Sequence, residues 1–147
     1  MKEKNETIKK LKEKGIVSTS QRVAILELIK KKKIHLTAEE IYKIIKKKYP
    51  TISFATVYNI LQKFVELDEI QQLSIKRDRA CYDWEPFPHH HFFCNSCEKI
   101  YDIEIKCPIA QKGELDGHKV KEVQAYFYGI CKYCQTKDKE VNEIIKN

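Results

Sequence analysis

The stretch that decides the fold is DWEPFPHHHFFCNSCEKIYD, residues 83–102. It places two kinds of metal ligand side by side: the thiols of Cys94 and Cys97, and a group of histidines flanked by aspartates. Soft sulfur ligands and harder nitrogen and oxygen ligands suit different metal ions. The mixture therefore predicts two metal sites with different tasks.

The cysteine pair is completed far downstream by a second pair of the same spacing, Cys131 and Cys134. Two residues between cysteines let one tight turn aim both sulfurs at a single ion, and two such turns supply four tetrahedral ligands for zinc. Because no position is left for water, we expect this zinc to be structural. A redox-active Cys-x-x-Cys pair and a disulfide framework are the alternatives.

Histidines and carboxylates form the other group. If this segment is extended, His89 and His91 project from one face of a strand while His90 points away. Asp83 and Asp102 flank them, and imidazole nitrogen with carboxylate oxygen suits iron(II) or manganese(II). The alternative is a solvated or hydrogen-bonded histidine cluster that binds no metal.

Charge is distributed unevenly along the 147 residues, whose net charge is +7. Residues 1–84 hold 19 lysines and arginines against 11 acidic residues, so the whole excess lies there. A compact basic region points to a polyanion, and we expect double-stranded DNA. The alternative is a lysine-rich surface that is simply solvated.

Other features of composition concern the cellular compartment. No apolar run approaches the roughly 20 residues of a membrane span, and the lysine- and glutamate-rich start lacks the apolar core of a signal peptide. We therefore expect a soluble cytoplasmic protein. In that reducing compartment the six cysteines favour metal binding over disulfides.

The basic region shows a winged helix-turn-helix pattern. Helices are predicted over residues 5–14, from Ser18–Arg22 to about Lys31, from the capping box Thr37–Glu40 to Pro50, and from Ser53 onward. Strands at 70–75 and 80–84, joined by the basic turn 76–79, form the wing. The last helix of this pattern enters the major groove, where an asparagine can read adenine. Taken singly, Thr56, Asn59 and Lys63 fit a solvated helix face equally well.

Residues 85–147 form the shorter part of the chain, and their sequence predicts both strands and helices. The prolines of residues 85–88 break regular structure and predict a hinge. Beyond it we expect strands at 91–94, 100–105 and 120–130, with short helices at 108–116 and 141–145. The fold class is therefore α+β: a winged-helix domain over residues 1–84, and a small α/β dimerisation domain with a four-cysteine zinc site over 89–147.

These pieces resemble the ferric uptake regulator family across nearly the whole chain. The matching segments are Ser20–Arg22, His35–Tyr42, Ala55–Asn59, His89–Cys97, Tyr128–Gly129 and the second cysteine pair. Within the family the chain resembles the peroxide-sensing branch, PerR. That branch carries aspartate at the positions of Asp102 and Asp83, where iron sensors tend to carry glutamate, and asparagine at that of Asn59.

The resemblance implies a homodimeric, metal-dependent repressor that senses hydrogen peroxide and is not an enzyme. It implies a regulatory iron or manganese bound by His35, Asp83, His89, His91 and Asp102, with peroxide oxidising His35 or His89 once iron is bound. It implies DNA contacts from Arg22, Ser53, Thr56, Tyr58, Asn59 and Lys63. The four cysteines would hold zinc that the dimer needs for folding.

Three other functions fit parts of the sequence. An iron- or zinc-uptake repressor of the same family would respond to metal level alone. A zinc nucleobase deaminase requires His-x-Glu and Pro-Cys-x-x-Cys, and neither motif occurs. A plain zinc-ribbon interaction module leaves His35 and the basic region without a purpose. We expect Cys81 and Cys107 to be packing residues and His118 to lie at the surface.

Overall fold

The computed structural model describes residues 2–136, so the helix predicted at 141–145 lies outside the described residues. The chain divides into two compact units, Met1–Phe87 and Pro88–Asn147. The division falls within residues 85–88, whose role as a hinge stays a prediction. Over the part of the chain that is described, no helix has both the length and the apolar character needed to cross a bilayer.

The first unit contains four helices and a small sheet. The helices are α1 (Lys2–Glu13), α2 (Ser20–Lys32), α3 (Ala38–Lys48) and α4 (Phe54–Glu66). The strands are β1 (Leu36–Thr37), β2 (Gln71–Leu73) and β3 (Cys81–Asp83), in the antiparallel order β1-β3-β2. The predicted winged helix-turn-helix is therefore confirmed, although its wing strands are shorter than expected and the two-residue β1 was not predicted.

Local signals explain where these helices begin and end. Thr37 accepts a hydrogen bond from the Glu40 amide while the Glu40 carboxylate accepts one from the Thr37 amide, which is the predicted capping box. Ser53 caps α4 in the same manner by accepting from the Thr56 amide at 3.0 Å. Gly15, at φ +72°, closes α1, because a left-handed residue there costs glycine little.

One apolar core holds the first unit together. Its members come from every helix and from β3, and their side chains are almost completely buried: Leu11, Val23, Ile25, Leu26, Ile29, Ile41, Ile45, Val57, Leu61, Phe64 and Tyr82. Burial of a leucine or isoleucine side chain contributes about 1.5–3 kcal/mol. This core fixes the helix that the winged pattern assigns to DNA recognition.

A buried carboxylate ties the first two helices to the turn after α4. Glu69 is fully buried, and its oxygens lie 2.8 Å from Lys14 Nζ, 3.0 Å from Lys30 Nζ and 3.3 Å from Lys10 Nζ. Burial alone would raise the pKa of Glu69, but the hydrogen bonds from Lys14 and Lys30 and the nearby lysine charges lower it overall. The ionised carboxylate is therefore the form that the fold stabilises.

Replacing Glu69 by glutamine should lower the free energy of unfolding at pH 7 by roughly 2 kcal/mol, since charge-assisted hydrogen bonds are lost. A depressed carboxyl pKa gives stability that is present above the unfolded-state pKa and disappears as pH falls through the folded-state value. The difference between the two proteins should therefore shrink below about pH 4 in urea titrations. Glu66→Gln is the control, because the Glu66–Lys63 pair is exposed. An equal effect of both substitutions would contradict the assignment.

The second unit is built on a three-stranded sheet of order β5-β4-β8, formed by β4 (His90–Cys94), β5 (Ile100–Ile103) and β8 (Tyr126–Gly129). β5 runs antiparallel to β4 and pairs Asp102 with His91. β8 runs parallel to β4 and pairs Gly129 with Cys94. Between β5 and β8 lie α5 (Pro108–Lys112) and a hairpin of β6 (Glu114–Leu115) and β7 (His118–Lys119).

Two expectations about this region were wrong. The helix predicted over 108–116 ends at Lys112, because Gly113 adopts φ +66° and caps it. The strand predicted over 120–130 occupies only Tyr126–Gly129. Residues 114–116 of the predicted helix and the unassigned residues 117–119 instead form the β6–β7 hairpin, whose Asp116 and Gly117 both have positive φ, as a type I′ hairpin turn requires.

Candidate metal centres

The four cysteines of the second unit form a compact cluster. Their sulfur atoms all lie within 4.8 Å of one another. Cys94 Sγ is 3.9 Å from Cys134 Sγ, and Cys97 Sγ is 3.8 Å from Cys131 Sγ. Zinc–sulfur bonds of about 2.3 Å place the corners of a regular tetrahedron about 3.8 Å apart. The cluster therefore fits one structural zinc ion.

Strand pairing explains why the two cysteine pairs meet. Cys94 ends β4 and Cys131 follows β8, and the parallel pairing of these strands brings both ends to the same edge of the sheet. The turn after Cys94 is closed by the Glu98 amide, which donates to the Cys94 carbonyl at 2.9 Å. Glu98 itself adopts φ +57°. Each pair thus forms a tight turn with its sulfurs facing the other pair.

Hydrogen bonds favour the thiolate, the form that binds zinc, at Cys94 and Cys131, whereas those from neighbouring cysteines raise the pKa of Cys134 to about 11. The Tyr101 hydroxyl donates to Cys131 Sγ at 3.5 Å and lowers the pKa of Cys131 to about 6. Burial would raise the pKa of Cys94, but the amides of Cys131 and Cys97 lower it overall. By contrast, burial among the side chains of the first unit raises the pKa of Cys81 to about 11. Cys81 is therefore a packing residue, as expected.

The second unit also brings together two histidines and an aspartate. His89 Nε2 lies 3.4 Å and His91 Nε2 lies 3.6 Å from Asp102 Oδ1, and the two imidazole centroids are 4.2 Å apart. His90 points the other way, where its Nδ1 accepts from the Ala125 amide at 3.0 Å. The predicted alternation of the three histidines is confirmed. His89, His91 and Asp102 together offer two nitrogens and a carboxylate to a cation.

The first unit brings together one histidine and one aspartate. His35 Nε2 lies 3.6 Å from Asp83 Oδ2, and both side chains are almost fully buried. The pair is positioned by β1 and β3, which place Leu36 opposite Tyr82. The Glu85 amide donates to Asp83 Oδ1 at 3.2 Å, which orients the carboxylate. One nitrogen and one carboxylate are too few to hold iron or manganese alone.

Three of the residues predicted to contact DNA make hydrogen bonds that serve the fold. Arg22 Nη1 donates to the Val17 carbonyl at 2.9 Å, which ties α2 to the segment before it. The Ser53 and Thr56 side chains lie 2.8 Å apart at the start of α4, where Ser53 caps the helix. In the absence of DNA, each of these three side chains therefore already has a hydrogen-bonding role within the fold.

The other three predicted DNA contacts lie on the surface of α4. Tyr58, Asn59 and Lys63 are all exposed. Lys63 Nζ pairs with the Glu66 carboxylate at 2.9 Å, and both side chains remain more than half exposed. An exposed pair of this kind contributes little to stability, so it can be exchanged for another partner. Of the residues predicted to contact DNA, Tyr58, Asn59 and Lys63 are thus the ones that α4 leaves exposed for contact with a DNA groove.

Tyr101 is a side chain at these centres that the sequence analysis missed. It stands on β5 directly before Asp102 and opposite Phe92 of β4. Neighbouring residues of a strand point to opposite faces, so β5 sends one side chain to the cysteine cluster and the next to the histidines. Alternation along β5 separates Tyr101 from Asp102, but the contact of Tyr101 with Cys131 also depends on the pairing of β5 with β4, which no local spacing encodes.

Comparison with known proteins places the chain in a family. The sequence model of the Ferric uptake regulator family matches residues 13–128. The "Peroxide operon regulator" of Bacillus subtilis (strain 168) is 34% identical over 142 residues, covering 92% of this chain and 96% of that protein. The family model spans α2 to α4 and the histidine and aspartate ligands, and it ends before Cys131 and Cys134.

Solved structures agree with that match. The Campylobacter jejuni peroxide stress regulator is 30% identical, covers 78% of this chain and 88% of its own, and has a TM-score of 0.61. The ferric uptake regulator from Francisella tularensis with iron is 27% identical, covers 82% and 96% respectively, and has a TM-score of 0.69. Both the sequence and the fold therefore establish that the chain belongs to the ferric uptake regulator family.

Proposed function

We propose that this protein is a metal-dependent, DNA-binding transcriptional repressor that responds to hydrogen peroxide. The observation that carries the proposal is the aspartate-containing ligand group of His89, His91 and Asp102, held on one face of the second unit. Relatives that are one third identical over most of the chain are named as peroxide regulators. As a regulator of DNA it would act in the cytoplasm and would not be an enzyme.

The regulatory ion would take its ligands from both units. His35 and Asp83 of the first unit and His89, His91 and Asp102 of the second together offer three nitrogens and two carboxylates, a set that suits iron(II) or manganese(II). The first unit supplies two of these five ligands and the second unit supplies three. An ion that bound all five would therefore hold residues 1–84 and 89–147 in one relative orientation, with 85–88 as the hinge.

Fixing that orientation is how metal would control DNA binding. In a homodimer joined through the second units, the two α4 helices must reach half-sites about 34 Å apart. An ion that binds only the closed arrangement shifts the population toward it, by an amount set by the difference in affinity between the two states. The basic first unit would then supply the phosphate contacts and Tyr58, Asn59 and Lys63 the contacts in the groove.

Peroxide would reverse this control through the ligands themselves. When bound, iron(II) would activate hydrogen peroxide, and the family resemblance assigns the oxidised residue to His35 or His89. The imidazole would lose two electrons and gain one oxygen atom, while the second oxygen of peroxide leaves as water. An added oxygen removes an imidazole nitrogen from the ligand set, because the oxidised ring is a poorer donor. Loss of one ligand would release the link between the units and hence the DNA. Zinc in the four-cysteine cluster would take no part.

The test is a gel-shift experiment on duplex DNA selected by this protein from a random pool. We expect binding with either manganese or iron, and loss of binding after micromolar peroxide only with iron. Mass spectrometry should then find one added oxygen on His35 or His89. An iron-loaded protein that stays bound after peroxide would instead indicate a repressor that responds to metal level alone. Oxidation confined to the cysteines would indicate a thiol-based sensor.

A further inference from the structure

The Tyr101 hydroxyl lies against a sulfur of the cysteine cluster. It donates a hydrogen bond to Cys131 Sγ at 3.5 Å. The ring is held in place by its strand position opposite Phe92 and by the Tyr133 ring, whose centroid is 6.3 Å away at an interplanar angle of 31°. Cys94 Sγ instead accepts from two backbone amides, those of Cys131 and Cys97. Tyr101 is therefore a side chain positioned on a sulfur that would bind zinc.

We propose that Tyr101 protects the four-cysteine site from peroxide by occupying a lone pair of the Cys131 sulfur. Zinc-bound thiolates keep part of their nucleophilic character, and a hydrogen bond to the sulfur withdraws electron density from it. The residue would not bind zinc itself. It would act through Cys131 as a positioning residue that makes the site slow to oxidise.

The reaction that it would slow is a two-electron oxidation. A thiolate attacks one oxygen of hydrogen peroxide, the O–O bond breaks, and the products are a cysteine sulfenic acid and hydroxide. A second thiolate of the cluster then displaces hydroxide from the sulfenic acid to form a disulfide. Two electrons have left the sulfurs, two hydroxides have formed, and zinc has lost two of its four ligands. The first attack is the step that a hydrogen bond to sulfur retards.

Such protection is needed because two consecutive residues of β5 contact the two centres. Tyr101 contacts Cys131, and the next residue, Asp102, lies beside His89 and His91. This part of the inference rests on the proposed function, in which peroxide reacts at the histidine and aspartate centre. A sensor of that kind must be oxidised at one centre while the other, which the preceding residue of the same strand contacts, stays intact.

The test compares Tyr101→Phe with wild type in full-length protein loaded with zinc and free of iron and manganese. Zinc released by hydrogen peroxide is followed with a chromophoric chelator. A hydrogen bond to the sulfur withdraws electron density from it, so removing the hydroxyl should speed zinc release several-fold. Trapping with dimedone should show more sulfenic acid at Cys131 in Tyr101→Phe than in wild type. Tyr133→Phe, which removes a hydroxyl from the adjacent ring, should release zinc at the wild-type rate.

Zinc content and circular dichroism are measured on all three proteins before peroxide is added. Equal release rates in Tyr101→Phe and wild type would overturn the proposal, as would equal acceleration by Tyr133→Phe. A Tyr101→Phe protein that already lacks zinc would also overturn it, because the hydroxyl would then serve zinc retention. Since no regulatory metal is present, the outcome is independent of the gel-shift test, and either proposal can fail alone.

Discussion

Replacing Cys94 by serine is expected to remove zinc and to unfold the second unit while the first unit stays folded. Among the described residues of the second unit, only His90, His91, Cys94 and Cys131 are buried. The described part of this unit therefore has no apolar core that would stabilise it without the metal. Structural zinc supplies about 10–16 kcal/mol of apparent binding free energy in small zinc domains. Losing one of four thiolates should sacrifice much of that stabilisation.

Three measurements check this expectation. Metal analysis should show zinc falling from about one ion per chain to well below half, as a four-ligand site predicts. Size-exclusion chromatography should show loss of the dimer, and circular dichroism should retain the helical signal of the first unit. Cys107→Ser is the matched control, because Cys107 lies in the same unit outside the cluster. A Cys94→Ser protein that keeps its zinc and its dimer would refute a structural zinc site.

Changing Asp102 to asparagine is expected to abolish manganese-dependent DNA binding without affecting zinc. The Asp102 carboxylate lies within 3.6 Å of both His89 Nε2 and His91 Nε2, so it is the charged member of this group. The substitution leaves two imidazoles and no carboxylate in this group. Because even residues that only support ligands change metal affinity by about 10–100-fold, we expect a loss of at least about 100-fold for a ligand.

The measurement is the affinity for the selected duplex across a manganese titration, with zinc content and thermal unfolding recorded for each protein. Glu104→Gln is the matched control, since Glu104 is an exposed acidic residue two positions further along the chain. It should bind DNA as wild type does. If Asp102→Asn responds to manganese with wild-type affinity, the regulatory centre has been assigned to the wrong residues.

Sequence alone predicted the elements that carry strong local signals. The capping box at Thr37 and Glu40 and the cap at Ser53 located two helices, because these hydrogen bonds are made between residues three apart. The two Cys-x-x-Cys pairs located the zinc cluster, since tetrahedral coordination constrains their spacing. Alternation along an extended segment assigned His89 and His91 to one face.

Other structural features could not be predicted from the spacing of neighbouring residues. β1 is only two residues long and exists because Leu36 and Thr37 pair with β3, which lies far along the sequence. The region after Lys112 escaped prediction for a different reason: its Asp116-Gly117 turn is a known hairpin signal that competes with weak helical spacing. The hydroxyl contact of Tyr101 depends on β5 lying beside β4, which no spacing encodes.

The parallel pairing of β4 with β8 also sets a delay during synthesis. Cys94 and Cys131 are 37 positions apart, and ribosomes add about 5–20 residues per second, so the first cysteine pair waits roughly 2–7 s for its partner. During that interval the thiols of Cys94 and Cys97 stand beside three histidines without the second cysteine pair. The upstream winged unit has been synthesised by then, so the zinc site is the later of the two to be completed.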